Sequence, residues 1–438
     1  MKTLVVIPSL MHKYSFSAPL AWLFGKDLDK VEGVYSAALT PEKVRGFDQF
    51  IVELNWFIEL FEFGLVVEFI KRHNPSAKIL FGGLFSQLKY REIFARHPVD
   101  YFIKGDAELP MRQFLARVDP RQIPNLVGRD FENPQTYKFS AEEFRDLEFD
   151  THWLAGHEEG WESFPGPDSD VDMSFEKLPR FPKYRERKRH ARVPLEFRWR
   201  VPPKGGRYHL PMIITGRGGC PAAHRGCGYC MGSRAEVLRD IYGRPPVVID
   251  NDSLIALLHK IEQKHRRVTL YVNSDCVYDF RGHHFDLEAT IEIDSPSTPA
   301  DVAQILPAFR KAIAHLAIFD EGLTGSSVRA SLEQYMALAD ERHRVYFFAS
   351  PEELANLGIP QKWRLYSEFL FPFWTHFDYY SDFEKALAKS KQWYLVTGQT
   401  NLYPPPKQIV VRTVRAMVLS TLWVLARTGL YDTKRLIL

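Results

Sequence analysis

Cysteine is scarce in this chain: four among 438 residues, too few to staple a secreted fold of that length. Net charge is scarce too. Lys and Arg number 57 against 54 Asp and Glu, a formal charge of +3, so no whole-molecule field gathers nucleic acid. The first ten residues run straight into a short apolar stretch and lack the basic, apolar and small-residue sections of a secretory signal. No apolar run reaches membrane-spanning length. The most apolar late stretch, residues 416–426, ends at Arg427 and reads as a packed terminal helix or one touching a membrane surface. These absences place the chain in the cytoplasm, without disulfides.

What is present is a globular composition, 45% hydrophobic and 25% charged, long enough for two large domains and an appendage. The first 120 residues alternate short apolar runs, at 3–8, 50–54, 78–81 and 101–103, with longer mixed segments. Residues 57–72 carry apolar positions at helical spacing and stop at His73-Asn74-Pro75. The pattern predicts an α/β fold with a Rossmann-like, doubly wound parallel sheet. Ligands of such sheets sit beyond the carboxyl ends of the strands. Three segments qualify: 9–17, which holds His12, the turn 53–55, and 82–86 with its Gly82-Gly83 pair. Residues 130–208 read as a connector with local structure. Its acidic half, 142–176, precedes a basic stretch, 183–207, containing Arg185, Arg187, Lys188 and Arg189. That stretch is either a solvated surface or a cover over an anionic ligand.

Three of the four cysteines, Cys220, Cys227 and Cys230, fall within eleven residues in a Cys-x6-Cys-x2-Cys spacing after an apolar strand at 212–215. In a chain without a secretory signal such clustering argues for metal over disulfide. Three thiolates on a loop at a strand end hold three corners of a [4Fe-4S] cluster and leave the fourth iron open. A zinc site is the rival and needs a fourth ligand, His224 from inside the loop or Cys276 from a distance. Cys276 alone reads as a small buried residue.

These segments carry a family resemblance. Lys78-Ile79-Leu80-Phe81-Gly82-Gly83, then Val99-Asp100-Tyr101-Phe102-Ile103-Lys104-Gly105-Asp106-Ala107-Glu108, resembles the end of the cobalamin-binding domain that precedes radical S-adenosylmethionine domains, and residues 123–129 resemble the linker after it. Cys227-Gly228-Tyr229-Cys230, with an aromatic residue before the last cysteine, and Arg217-Gly218-Gly219-Cys220-Pro221 are similar to the cluster motif of the radical S-adenosylmethionine superfamily. Two departures stand out. The first gap is six residues where the family has three, and no Asp-x-His-x-x-Gly motif follows the first strand; Asp150 to Gly156 matches only in part and lies elsewhere. A cobalamin here would take no lower histidine from the protein.

The resemblance implies a cobalamin-binding domain over 1–125 with Gly82, Gly83 and Ser86 against the cofactor, a linker over 126–208, a partial (β/α) barrel over 209–365, and an aromatic-rich, helical region over 366–438. Within the barrel it implies strands at 268–273, 289–293, 316–319 and 345–348 and helical segments at 298–314 and 326–340. Cys220, Cys227 and Cys230 would hold the cluster. Tyr229, Asn273, Asp275 and Glu292 would contact S-adenosylmethionine, with Ser274, Asp294, Glu321 and Gly322 nearby, and the aromatic run 369–380 would wall the cavity. In that superfamily the open iron binds S-adenosylmethionine, whose reductive cleavage yields a 5′-deoxyadenosyl radical. The implied activity is a change at an unactivated carbon of a small-molecule or lipid-like substrate, served by an electron-donor protein. Methyl transfer is the commonest outcome of this domain order; rearrangement and oxidation use the same parts. No residue is singled out as catalytic. Two other readings stay open: a radical enzyme without cobalamin, and a zinc-stabilised module that binds nucleic acid through 183–207.

Overall fold

The computed structural model describes residues 2–8, 23, 27–145, 212–217, 244–245, 247–263, 267–272, 278–294, 299–317, 334, 337–338, 342–348, 382–397 and 400–427. They form a mixed α/β protein in which parallel strands dominate. The first sheet contains β1 (Thr3–Ile7), β2 (Val31–Tyr35), β3 (Gln49–Glu53), β4 (Lys78–Gly82), β5 (Tyr101–Ile103) and β6 (Leu126–Gly128), in the order β2-β1-β3-β4-β5-β6. All neighbours are parallel except β5 and β6. The order reverses direction between β1 and β3, the topological switch point beside which sheets of this kind hold ligands.

Its strands are apolar on both faces, as a parallel sheet covered by helices requires. Successive residues point to opposite sides. Leu4, Val6, Phe50, Val52, Ile79 and Phe81 enter one core, and Val5, Ile7, Ile51, Leu80 and Ile103 enter the other. Helices Leu60–His73 (α1) and Leu84–Arg96 (α2) supply the first core, and Glu108–Leu115 (α3) supplies the second. The sequence reading lacks β2, because Glu32 and Gly33 interrupt its apolar run. Parallel pairing with β1 along its whole length makes it a strand. The sheet also includes β6, beyond residue 125.

The second sheet is parallel throughout and follows chain order from its edge strand β7 (Met212–Ile214), through β10 (Arg267–Val272), β11 (Phe285–Asp294) and β12 (Phe309–Ala317), to β13 (His343–Phe348). Helices Asn251–Glu262 (α4) and Pro299–Ile305 (α5) alternate with these strands. Asp250 caps α4, its Oδ1 accepting the Ser253 N–H at 2.9 Å. The connector joins this core through Phe139 and Phe144. One expectation is corrected here. Residues 298–314 are not one helix followed by a strand at 316. The helix stops at Ile305, a single turn at Leu306–Ala308 contains Pro307, and β12 begins at Phe309. Proline has no N–H to continue the helix, and pairing on both edges draws Phe309–Ala317 into the sheet.

The last two described helices, Phe383–Thr397 (α6) and Pro405–Arg427 (α7), return to the first sheet. Phe383, Ala386, Tyr394, Leu402, Tyr403 and Val411 join the core that contains α1. Polar contacts fix the arrangement: the Phe61 N–H donates to Ser390 Oγ at 3.1 Å, and Asn401 Nδ2 donates to the Ser36 carbonyl at 2.8 Å. The outer side of α7 exposes Ile409, Val410, Val414 and Met417. Among the described residues no helix is long and apolar enough to cross a membrane.

Tyr394 is fully buried against Phe61 and Tyr403, with ring centroids 5.6 and 6.3 Å away. Tyr394→Ala is expected to cost about 3–5 kcal/mol and to lower hydrogen-exchange protection of the β3 and β4 amides. Unchanged protection there would show that α6 is an independent appendage.

Candidate functional site

Beside this switch point β3 and β4 end side by side, with Glu53 in register with Gly82. The next residues lock the two ends together. The Leu54 N–H donates to the Gly82 carbonyl at 2.8 Å. Gly83 has φ +110°, and a Cβ there would sit 2.5 Å from the Leu54 carbonyl oxygen, so backbone conformation and space both require glycine. Gly82 differs: a Cβ built on it meets nothing within 4 Å.

Asn55 organises the turn. Its Oδ1 accepts the Leu84 N–H at 3.1 Å, its carbonyl accepts the Phe85 N–H at 3.1 Å, and its Nδ2 donates to Glu53 Oε1 at 2.6 Å. Ser86 is fully buried, and its hydroxyl donates to the Gly82 carbonyl at 3.1 Å. The first N–H groups of α2 are therefore spent on protein acceptors, and the usual anion site of a helix N-terminus is closed. Beneath the turn lie two buried acids. Glu59 Oε2 accepts the N–H groups of Asn55 and Trp56 at 2.9 and 3.1 Å. Burial raises its pKa well above the ordinary carboxylate range, with the neighbouring Glu53 charge adding to the effect and the two N–H donors opposing it. Burial pushes Glu53 up to about 8, against the lowering effect of the Asn55 amide. At neutral pH Glu53 is a neutral acid, so this edge of the sheet carries less charge than its composition suggests.

A second polar group joins the two sheets. Asp106 and Glu108, at the start of α3, are almost fully buried and face Arg217 and Arg244. Burial alone would favour a neutral Arg217, but Glu108 and Asp106 more than offset this and hold the guanidinium charged. Sequence reasoning quoted Asp106, Glu108 and Arg217 within motifs without giving them a role, and passed over Arg244. Opposite charges far apart in the chain are the only signal there was.

The cysteine segment belongs to the same neighbourhood by connectivity. β7 is followed by β8 (Gly216–Arg217), which pairs antiparallel with β9 (Val247–Val248), so the base of the segment is closed on both sides. Cys220, Cys227, Cys230, Tyr229, His224, Asn273, Ser274, Asp275, Cys276, His12, Glu321, Gly322, the run 369–380 and most of both charged halves of the connector lie outside the described residues. Glu292 is on β11, in register with Tyr271 of β10 and His315 of β12. Among the described residues no His, Cys, Asp and Glu cluster is arranged to hold a metal ion.

In comparison with solved structures, the chain is similar to radical S-adenosylmethionine enzymes that bind cobalamin. One is the methyltransferase TsrM from Kitasatospora setae with its tryptophan substrate and the S-adenosylmethionine analogue aza-SAM, at 13% identity and a TM-score of 0.42, over 79% of this chain and 73% of that one. The same enzyme with cobalamin and a [4Fe-4S] cluster matches at 12% and 0.41, over 79% and 72%. OxsB, a cobalamin-dependent S-adenosylmethionine radical enzyme with aqua-cobalamin and S-adenosylmethionine bound, matches at 12% and 0.45, over 89% of this chain and 56% of that one. No family model matches the chain. No curated protein matches it either.

Gly83→Ala forces a side chain onto the Leu54 carbonyl and is expected to destabilise the first domain by about 2–4 kcal/mol, read by denaturant unfolding. Glu53→Gln keeps the Asn55 hydrogen bond and cannot ionise. A folded pKa raised above 4.5 means that wild-type stability is lost as pH rises toward 8. The variant is therefore expected to gain several kcal/mol, on the order of 4, over wild type at pH 8.5 and under about 1 kcal/mol at pH 5. An equal gain at both pH values would contradict the buried neutral acid.

Proposed function

We propose that this chain is a radical S-adenosylmethionine enzyme with a [4Fe-4S] cluster on Cys220, Cys227 and Cys230, and that its first domain takes cobalamin. One observation carries the reading: the three-cysteine segment leaves the carboxyl end of β7, the edge strand of an all-parallel sheet, and returns through β9. Open α/β sheets hold their ligands at that end. A cluster held by Cys220, Cys227 and Cys230 would supply the reducing electron for cleavage of S-adenosylmethionine.

The residues fit these groups in donor chemistry, and the Gly82 edge of the first domain also leaves space. Three thiolates match a cluster with one open iron. Tyr229, Asn273, Asp275 and Glu292 are the proposed contacts of S-adenosylmethionine, at or beyond the strand ends of a partial barrel. In the first domain, Gly82 leaves room for a flat ring, Gly83 and Ser86 hold the turn beneath it, and the neutral Glu53 avoids setting a charge against it. The chain's part is to bind, orient and exclude water. The proposed reaction is methyl transfer to an unactivated carbon of a small molecule, in the cytoplasm, where thiolates stay reduced and a protein donor delivers electrons.

Reconstitution with iron and sulfide without oxygen is expected to give a four-iron paramagnetic signal on reduction that shifts with S-adenosylmethionine and is lost in Cys227→Ala. Gly82→Leu is expected to fold, by circular dichroism, and to retain cobalamin at least about tenfold more weakly in equilibrium dialysis. Zinc alone, or an iron signal indifferent to S-adenosylmethionine, overturns the reading.

A further inference from the structure

One carboxylate touches both ends of the cysteine segment. Asp106 follows β5, and only 4% of its side chain is exposed. Its Oδ1 lies 3.4 Å from Arg217 Nη1, and its Oδ2 lies 2.5 Å from Arg244 Nη2. Arg217 ends β8, directly before Gly218-Gly219-Cys220, and Arg244 stands just ahead of β9. The clasp is itself held in place. Asp106 Oδ2 accepts the Phe139 N–H at 2.9 Å, and its carbonyl accepts Nδ2 of the fully buried Asn125 at 3.2 Å. Glu108 binds the second terminal nitrogen of Arg217, whose guanidinium carbon lies 4.4 Å from the centre of the Phe139 ring.

We propose that Asp106 is a positioning residue for the cluster: the first domain reaches across to clasp Arg217 and Arg244 and so sets the separation at which 218–243 presents its three cysteines. The inference rests on the reading of that segment as the cluster site. Two arginines brought together out of water repel each other unless an anion lies between them. Without the carboxylate, the base of the segment opens, because among the described residues the ladder beneath it has two residue pairs, Gly216 with Val248 and Arg217 with Val247. Coupling is reciprocal: a cluster that needs the closed base favours the docked first domain. The clasp then couples the two domains through this chain's own residues.

The test compares wild type, Asp106→Asn and Asp106→Glu after anaerobic reconstitution, by iron per chain, by the reduced spectrum with and without S-adenosylmethionine, and by amide exchange at Gly216, Arg217, Val247 and Val248. Asp106→Asn is expected to exchange faster at those amides, to broaden the cluster signal and to weaken the S-adenosylmethionine response at least about tenfold, with partial rescue in Asp106→Glu. Wild-type iron, line shape and response in Asp106→Asn overturn the clasp. If wild type takes up no cluster, the functional reading fails by itself, and the exchange rates then decide the clasp: unchanged rates in Asp106→Asn remove it as well. Should Asp106→Asn not fold, Arg217→Lys and Arg244→Lys keep the charge and lose the planar fork, and the same readouts carry the test.

Discussion

A carboxylate with almost no access to water has to be matched by cations and N–H donors, and at Asp106 the matching groups come from three separate stretches of chain. Phe139 brings a backbone N–H from the connector, Arg217 comes from the strand before the cysteines, and Arg244 from the approach to the strand after them. Removing one member of a buried ion group costs about 3–5 kcal/mol, because the others stay buried without compensation. An exposed pair such as Arg121 with Asp130 carries far less, since water competes for both partners. The seam between the two sheets is therefore set by a few charges whose burial makes their geometry exacting.

The carboxyl edge of the first sheet is built on the opposite principle. There the polar groups satisfy one another locally: Asn55 occupies the N-terminus of α2, Ser86 closes on Gly82, and Glu59 takes two backbone N–H groups. What remains for a ligand is the space over Gly82 and a floor in which burial keeps acids protonated. The return of α6 and α7 to the same domain stiffens the flank of that sheet, with Tyr394 inserted beside Phe61.

Much of the architecture was legible because it is local. Strands β1, β3, β4 and β5 are continuous apolar runs ended by turn residues, and α1 carries its apolar face at helical spacing before Asn74-Pro75. β2 was missed because Glu32-Gly33 weakens a run that only pairing with β1 makes a strand. The helix expected over 298–314 overran because the periodic signal continued past Pro307, where the missing N–H ends it. At the site, Gly82 and Gly83 look alike in sequence. One faces open space, while the other has a left-handed backbone jammed against Leu54.

By itself the sequence determined the alternation of strands and helices, the three thiols and their spacing, and the glycine pair at a strand end, since each depends on neighbours a few residues away. Only the tertiary structure decided that the C-terminal helices complete the first domain, that Glu53 and Glu59 lie dry beneath the glycine turn, and that Asp106 meets Arg217 and Arg244. Burial and charge pairing depend on distances in space between residues far apart in the chain, and no local pattern encodes them.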